Sequence, residues 1–414
     1  MDYKHTLDYV ADKVQESPVP SGIRRCTEPL LCIPRDLAMH WGPLYKNNHY
    51  SEWHYFSCIG KNQLGEECTL FWAPTRFTGW CEKLGRPGNY TCFNWSNTNT
   101  GEYYKNLSLY FDELKSSGNI EDQNNFSFNY AMGDENGDKP WFNTYYDHNS
   151  MTWHLKGGSK IEDENCNAFQ LDATLKVVAP GYVPGAYGGY ELGGYDPNGR
   201  FNPATLYGIS YYIIAPRIEV DAKVIVGGKE QHFTGYGSFE EQYGNFMTAD
   251  NDFTHYIWGY CRMKNDRDFF TFRQSYLRGE RFKTPKREIN RYLYVSKQGG
   301  LDYQFGDSFK LEQVGGWTSK GSGLEYPIHC ILHTPKGDIW MSPKGNPEHE
   351  LILQTGDGPK SIYEAPYEFR IGGFDGEIIG EGFVEMNCHE GYIPNTLFTS
   401  LENQPNMPYI QPGW

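Results

Sequence analysis

The chain has no run of 18 or more apolar residues, so nothing in it reads as a membrane-spanning helix. Its first residues also lack the apolar core of a signal peptide, which leaves two expectations: a cytosolic protein, or one already stripped of a leader. Positive charge is scarce. The 37 Lys and Arg against 52 Asp and Glu give a formal charge of -15, a field that disfavours nucleic acid and anionic membrane as partners. The stretch Lys283 to Arg291 is a local exception. Catalytic signatures are missing too: there is no G-x-S-x-G elbow, no H-E-x-x-H helix, no P-loop and no C-x-x-C pair. GYGSFE is too short for a dinucleotide fingerprint, and Cys388 and His389, adjacent in a strand, point apart. Neither a cofactor nor a metal site is expected. No repeat of fixed period is visible.

What the chain does contain is turn-formers and aromatics: 46 Gly, 24 Pro, 32 Tyr, 24 Phe and 11 Trp. Aromatics fill wide sheet surfaces and glycines permit reversals, so an all-β protein is predicted. From Ile218 to Val226 apolar residues alternate with Glu219, Asp221, Lys223 and Ile225, close to the period of a half-buried strand. Gly227-Gly228 supplies a tight turn after it. SEWHYFSCI reads as a strand with CTLFWAPTRFTGW as its neighbour, and Phe169, Leu171, Ala173, Leu175 and Val177 share one face of another. Further short strands are expected in FFTFRQSYL, RYLYVSK, SFKLEQV, the HCILHTPKGDIWM hairpin and the segment EAPYEFRI to EMNC. A weak helical pattern covers His5 to Val14. The length suits two antiparallel β domains, with a boundary near residues 240 to 265.

Ten cysteines, six within the first 92 residues, are compatible with five disulfides. Glycosylation acceptors occur at Asn89, Asn94, Asn106 and Asn125. Together these features predict a secretory protein, with residues 82-150 as long decorated loops and the glycine-tyrosine loop over 179-199 as a cover for a pocket.

IAPRIEVDAKVIVGGKEQHFTGYGSFEEQYGNF followed by HYIWGYCRM resembles the AttH and carotenoid-hydratase superfamily, whose members pair two lipocalin-like or sandwich domains. The resemblance implies a β-sandwich over 1-250 and a lipocalin-like barrel over 251-414, with a pocket between or within them. Pro216 and Arg217 match the proline-arginine that precedes its G-x-G-x-x-D-H-x-W-G motif, and Gly235, Gly237 and Gly244 match the glycines of that motif. Glu240, Glu241 and Tyr243 stand where Asp, His and Trp are usual. Glu52 to Phe56 resembles the superfamily's E-W-W-Y-F strand. The resemblance implies a cofactor-independent pericyclase, similar to fungal hetero-Diels-Alderases that join a tropolone-type or phenolic ortho-quinone methide to a terpene alkene. Two alternatives stand beside it: intramolecular decalin formation from a polyenoyl chain, and a secreted terpenoid-binding protein without turnover.

Such chemistry needs two π-systems held in a reactive arrangement more than it needs a nucleophile. Trp53, Tyr55, Tyr256 and Trp258 are the expected aromatic walls. Glu241 is the expected acid, able to hydrogen-bond a reactive oxygen or to assist loss of water, with His54 and His255 as general-base candidates. Glu52, Arg217, Glu240, Tyr243 and His389 complete the substrate-binding set. Because neighbours in a strand face opposite ways, at most one of Glu240 and Glu241 points into any one cavity. The expected partners are hydrophobic small molecules.

Overall fold

The computed structural model describes residues 31-32, 51-77, 88-110, 115-119, 127-147, 149-150, 152-179, 181-182, 189-191, 209-244, 253-265, 269-279, 284-297, 300-304, 309-334, 337-355 and 358-388. The segment His5 to Val14, most of the 179-199 loop, Asn125, His389 and the side chains of Lys283 to Arg291 lie outside them.

The described residues form strands and no helix, so none is available to cross a membrane. In chain order the strands are β1 (Leu31–Cys32), β2 (Ser51–Asn62), β3 (Glu67–Phe77), β4 (Gly88–Asn97), β5 (Glu102–Tyr110), β6 (Lys115–Asn119), β7 (Ser127–Met132), β8 (Trp141–Asp147), β9 (Thr152–Ser159), β10 (Phe169–Val177), β11 (Gly181–Tyr182), β12 (Gly189–Glu191), β13 (Ile209–Val226) and β14 (Lys229–Gly244). They build one antiparallel sheet in the order β5-β4-β3-β2-β14-β13-β10-β9-β8-β7-β6, with β11 and β12 pairing on β13. The second sheet holds β15 (Phe253–Met263), β16 (Phe269–Gly279), β17 (Thr284–Lys297), β18 (Gly300–Gln304), β19 (Lys310–Thr318), β20 (Glu325–Thr334), β21 (Gly337–Pro343), β22 (Glu350–Thr355), β23 (Gly358–Ile371) and β24 (Glu377–Cys388). Its order is β18-β17-β16-β15-β24-β23-β21-β20-β19, with β22 on β23. Both sheets curl into half-barrels, the all-β architecture expected from composition in the lipocalin-like form that the resemblance implies.

The β13-β14 hairpin shows how sequence sets this shape. Ile218, Val220, Ala222, Val224 and Val226 are buried while Glu219, Asp221 and Lys223 are exposed. Gly227 and Gly228 turn the chain at φ +57° and +72°, values that side chains with a Cβ rarely adopt. A bulge between Ala215 and Ile218 carries Pro216, which has no N–H to give the ladder. At Gly237 a Cβ would lie 1.9 Å from the Ser57 carbonyl oxygen, so β14 can approach β2 only with glycine there.

Each sheet has an inner core, and a third core lies between the sheets. Trp53, Tyr55, Phe71, Ala73, Cys92, Leu107 and Ile214 of the first sheet pack on Tyr256, Trp258, Tyr260, Phe269, Leu351 and Phe383 of the second. Burying a large apolar side chain contributes about 1.5–3 kcal/mol, so this seam is a principal bond between the halves. Tyr260 reinforces it by donating to the Ser57 carbonyl at 2.9 Å.

Two expectations are overturned. Residues 82-150 are not long loops: β4 to β8 occupy much of the stretch. Asn89, Asn94 and Asn106 are buried there, and Asn106 Nδ2 donates to the Asn167 carbonyl at 2.9 Å, so none can carry a glycan on the folded chain. Likewise Cys58, Cys68, Cys92, Cys166, Cys261 and Cys330 are buried free thiols, which rules out five disulfides. They act as small apolar fillers, Cys92 between the sheets and Cys261 and Cys330 inside the second. Burial alone raises the pKa of Cys58 far above its ordinary value.

Candidate functional site

β2 and β14 run antiparallel with Tyr55 opposite Glu240 and His54 opposite Glu241. Alternation therefore sends Tyr55 and Glu240 towards the second sheet, and His54 and Glu241 into the curl of the first. Both glutamates are buried, but in different surroundings.

On the inter-sheet face, Glu240 meets side chains that lie in one row across four adjoining strands. Trp258 on β15 is paired with Arg273 on β16 and Glu385 on β24, and Glu385 with Glu364 on β23. Tyr55 crosses from the first sheet and donates to Glu364 Oε2 at 3.0 Å. Its ring meets Trp258 edge-on, centroids 5.3 Å apart. Tyr256 donates a short hydrogen bond to Glu385 Oε1, and the Arg273 guanidinium lies 3.9 Å above the centre of the Tyr256 ring. Asn94 fixes the backbone here by donating to the Glu364 carbonyl at 3.1 Å.

Three carboxyl groups and one guanidinium thus share a dry interface. All four side chains are buried. An ionised carboxyl taken out of water costs several kcal/mol unless a charge partner offsets it, and Arg273 can offset only one well. Burial and the neighbouring Glu385 push the Glu240 pKa well above the carboxylate range, against a smaller opposing pull from Arg273. Burial and Glu385 do the same to Glu364. Glu385 is raised by burial but held to about 7 by the Tyr256 hydrogen bond and Arg273. Burial and the excess of carboxyl over cation thus favour the protonated form of Glu240 and Glu364, and Glu385, at about 7, can both give and take a proton near neutrality. Neither Glu240 Oε1 nor Glu364 Oε1 has a hydrogen-bond partner among the described residues.

Comparison with known proteins bears on fold only. No family model matches the chain, and no curated protein matches it by sequence. Among solved structures it is similar to an AttH-like protein from Nitrosomonas europaea, at 15% identity over 88% of this chain and 98% of that one, with TM-score 0.61. It is also similar to kievitone hydratase from Nectria haematococca, at 12% identity over 90% and 99% of the two chains, TM-score 0.54. The chain has their fold. The resemblance read from Pro216 to Gly244 is met at that level.

Inside the first sheet, His54 Nδ1 pairs with the Tyr130 hydroxyl at 2.6 Å, and His54 Nε2 lies 3.8 Å from Glu241 Oε2. The imidazole stacks on Phe239 with centroids 5.9 Å apart, and Trp153 packs beside it. Glu52 shares this face by alternation and is buried. Arg217, next to the bulge, instead reaches the other sheet, 5.0 Å above the Phe269 ring.

The structure thus brings together Trp53, Tyr55, Glu240, Tyr256 and Trp258 between the sheets, and separates Glu52, His54 and Glu241 from them. Backbone pairing sets Tyr243 opposite Glu52 and His255 opposite Cys388, but the side chains of Tyr243 and His255 lie outside the described residues. Sequence reasoning missed Arg273, Glu364 and Glu385. The available signal was a charge flanked by aromatic or aliphatic residues: TFRQ, IYEAPY and FVEMN.

A groove of about 240 Å³ opens at the seam beside Tyr236, Tyr367, Lys344 and Glu381. Glu381 precedes Glu385 by four residues on β24, about 13 Å along a strand. The groove is smaller than the roughly 300–1,000 Å³ usual for ligand pockets, so it accommodates a substituent and not a two-part substrate.

Proposed function

We propose that this protein is a cofactor-independent enzyme acting on hydrophobic unsaturated small molecules, with the buried carboxyls Glu240, Glu364 and Glu385 as its acid groups. The observation that carries this reading is the excess of buried carboxyl over buried cation among aromatic rings contributed by both sheets. A fold whose cores are already complete gains nothing from three such acids, whereas a proton source near neutrality is what general acid catalysis requires.

The specific reaction proposed is a hetero-Diels-Alder addition. A hydroxymethyl phenol or tropolone would lose water: a carboxyl proton goes to the departing hydroxyl as the C–O bond breaks, and the ring hydroxyl returns a proton to a carboxylate. The resulting ortho-quinone methide then adds across a terpene alkene, forming one C–C and one C–O bond. Tyr55, Trp53 and Trp258 would align the two π-systems, a contribution of proximity and orientation. Run in the opposite sense, the first step is hydration, and kievitone hydratase shows that a protein of this fold bears a hydratase name.

Purified protein incubated with a hydroxymethyl phenol and a cyclic terpene tests the reading. It expects a faster reaction and a stereochemical ratio unlike the background, both lost in Glu385→Gln. Binding with an unchanged product ratio would make the protein a carrier. A bound ligand whose oxygen lies at Glu240 and Glu364 supports the site; one confined to the Tyr236–Lys344 groove overturns it.

A further inference from the structure

We infer that the inter-sheet site selects a neutral, carbonyl-bearing substrate, with Glu240 Oε1 and Glu364 Oε1 acting as paired hydrogen-bond donors to one carbonyl oxygen. This rests on the acid-assisted reading above and names its substrate class.

The row of side chains across the second sheet is polarised. Arg273 stands at one end and Glu364 at the other, three strand spacings apart, about 14 Å. The cation lies over Tyr256, whose hydroxyl is spent on Glu385, so positive charge and its carboxylate are concentrated on β16, β15 and β24. Glu364 is left beside Glu385, far from the guanidinium, with a divided pair of oxygens. Its Oε2 accepts from Tyr55, as the carbonyl oxygen of a protonated acid does, while Oε1 is unpartnered and free to present the proton outwards. Glu240 arrives from the facing sheet with its own Oε1 unpartnered. Tyr55 is paired with Glu240 across the β2–β14 ladder and its hydroxyl reaches Glu364 Oε2 at 3.0 Å, so the two acids meet at Tyr55 across the seam.

The other titratable groups that bear on them are Tyr55, Tyr103, Cys92 and Tyr256, each holding its proton more firmly because of burial and these same carboxyls. The site is therefore a set of buried neutral donors beside one ionisable carboxylate, Glu385. A carbonyl oxygen completes the two open donors. An anionic ligand at the same place would face Glu385 across one strand spacing, about 5 Å, and be repelled. Two neutral carboxylic acids aimed at one oxygen also stabilise charge that develops there as an enone or quinone methide reacts.

The test uses tropone labelled with carbon-13 at its carbonyl, with tropolonate as the anionic counterpart of the same shape. In the full-length protein near pH 7, bound tropone is expected to show its carbonyl carbon shifted downfield, as accepted hydrogen bonds require. Tropolonate is expected to bind more weakly, and more weakly still as pH rises. Glu240→Leu and Glu364→Leu should each weaken tropone binding by up to about tenfold, the worth of one neutral hydrogen bond. The comparison of the two probes on the unaltered protein stands even if a variant fails to fold. Tropolonate binding more tightly than tropone, an unshifted carbonyl carbon, or no tropone binding overturns the inference. Turnover without a carbonyl shift would sink this inference alone, whereas a shift without turnover of any substrate would sink the enzymatic reading and leave the donor pair standing.

Discussion

The two faces of the β2–β14 ladder place the same residue type in opposite circumstances. Glu241 enters the first sheet beside His54, itself held by Tyr130, in a ring of Phe239 and Trp153. Glu240, one residue earlier, enters the seam, where its charge competes with two more carboxyls for a single guanidinium. The difference teaches that burial alone does not mark a functional acid. On one face a basic side chain from the adjacent strand accompanies the carboxyl. On the other, acids outnumber bases among the described residues, and desolvation favours the protonated form.

The largest expected break between the faces is in turnover. Glu385→Gln should lower kcat by about 10²–10⁴, the usual worth of general acid catalysis, while Glu241→Gln should leave it within a few-fold and register mainly as reduced stability. Steady-state rates of the two purified variants check this. Equal losses in both would return Glu241 to the chemistry and erase the contrast.

Stability should break next. Arg273→Met strands Glu385 without its cation and should cost about 3–5 kcal/mol in urea unfolding, and adding Glu385→Gln should recover part of that loss. If the double variant is no more stable than the single one, Arg273 acts by packing on Tyr256 and not by charge.

The pH dependence sharpens the contrast further. Glu385 is raised from 4.5 to about 7, so between those values the folded chain holds more protons than the unfolded one. Its stabilising contribution is complete below 4.5 and is lost as pH rises through about 7. Unfolding midpoints should fall across that window, less steeply in Glu385→Gln, and kcat/KM should fall as Glu385 gives up its proton. A midpoint that climbs across the window would show Glu385 to be an ordinary paired carboxylate.

The smallest effect belongs to the groove. Lys344 bridges Glu67 at 2.8 Å and Glu381 at 2.7 Å, tying the two sheets together near the surface. Lys344→Met should cost about 1 kcal/mol or less, diminishing in high salt, with turnover nearly unchanged. A large loss of activity would move the reacting centre towards the groove.

Much of the framework was legible because strands with one wet face advertise themselves: Ile218 to Val226 alternate, and Gly227-Gly228 permits one kind of reversal. The aromatic walls were legible for a related reason, since Trp53, Tyr55, Tyr256 and Trp258 alternate within their strands and met across the seam. The acids of the second sheet were harder to see. Residues 383-387 are buried on both faces of β24, so alternation carries no label for Glu385. Residues 82-150 misled for the converse reason: Asn and Thr suggest loops, yet Thr91 accepts from the Trp72 indole at 2.9 Å and Asn94 bonds across the seam. The same buried asparagines and thiols remove, at those positions, the grounds on which secretory passage was expected.

The most direct measurement is difference infrared spectroscopy of the carboxyl C=O stretch at pH 7, on the unaltered protein and on Glu240→Gln and Glu364→Gln. A band from protonated carboxyls that each substitution diminishes is expected. If the band is absent at neutral pH, or indifferent to both substitutions, the seam holds ordinary carboxylates and the proposed acid site does not exist.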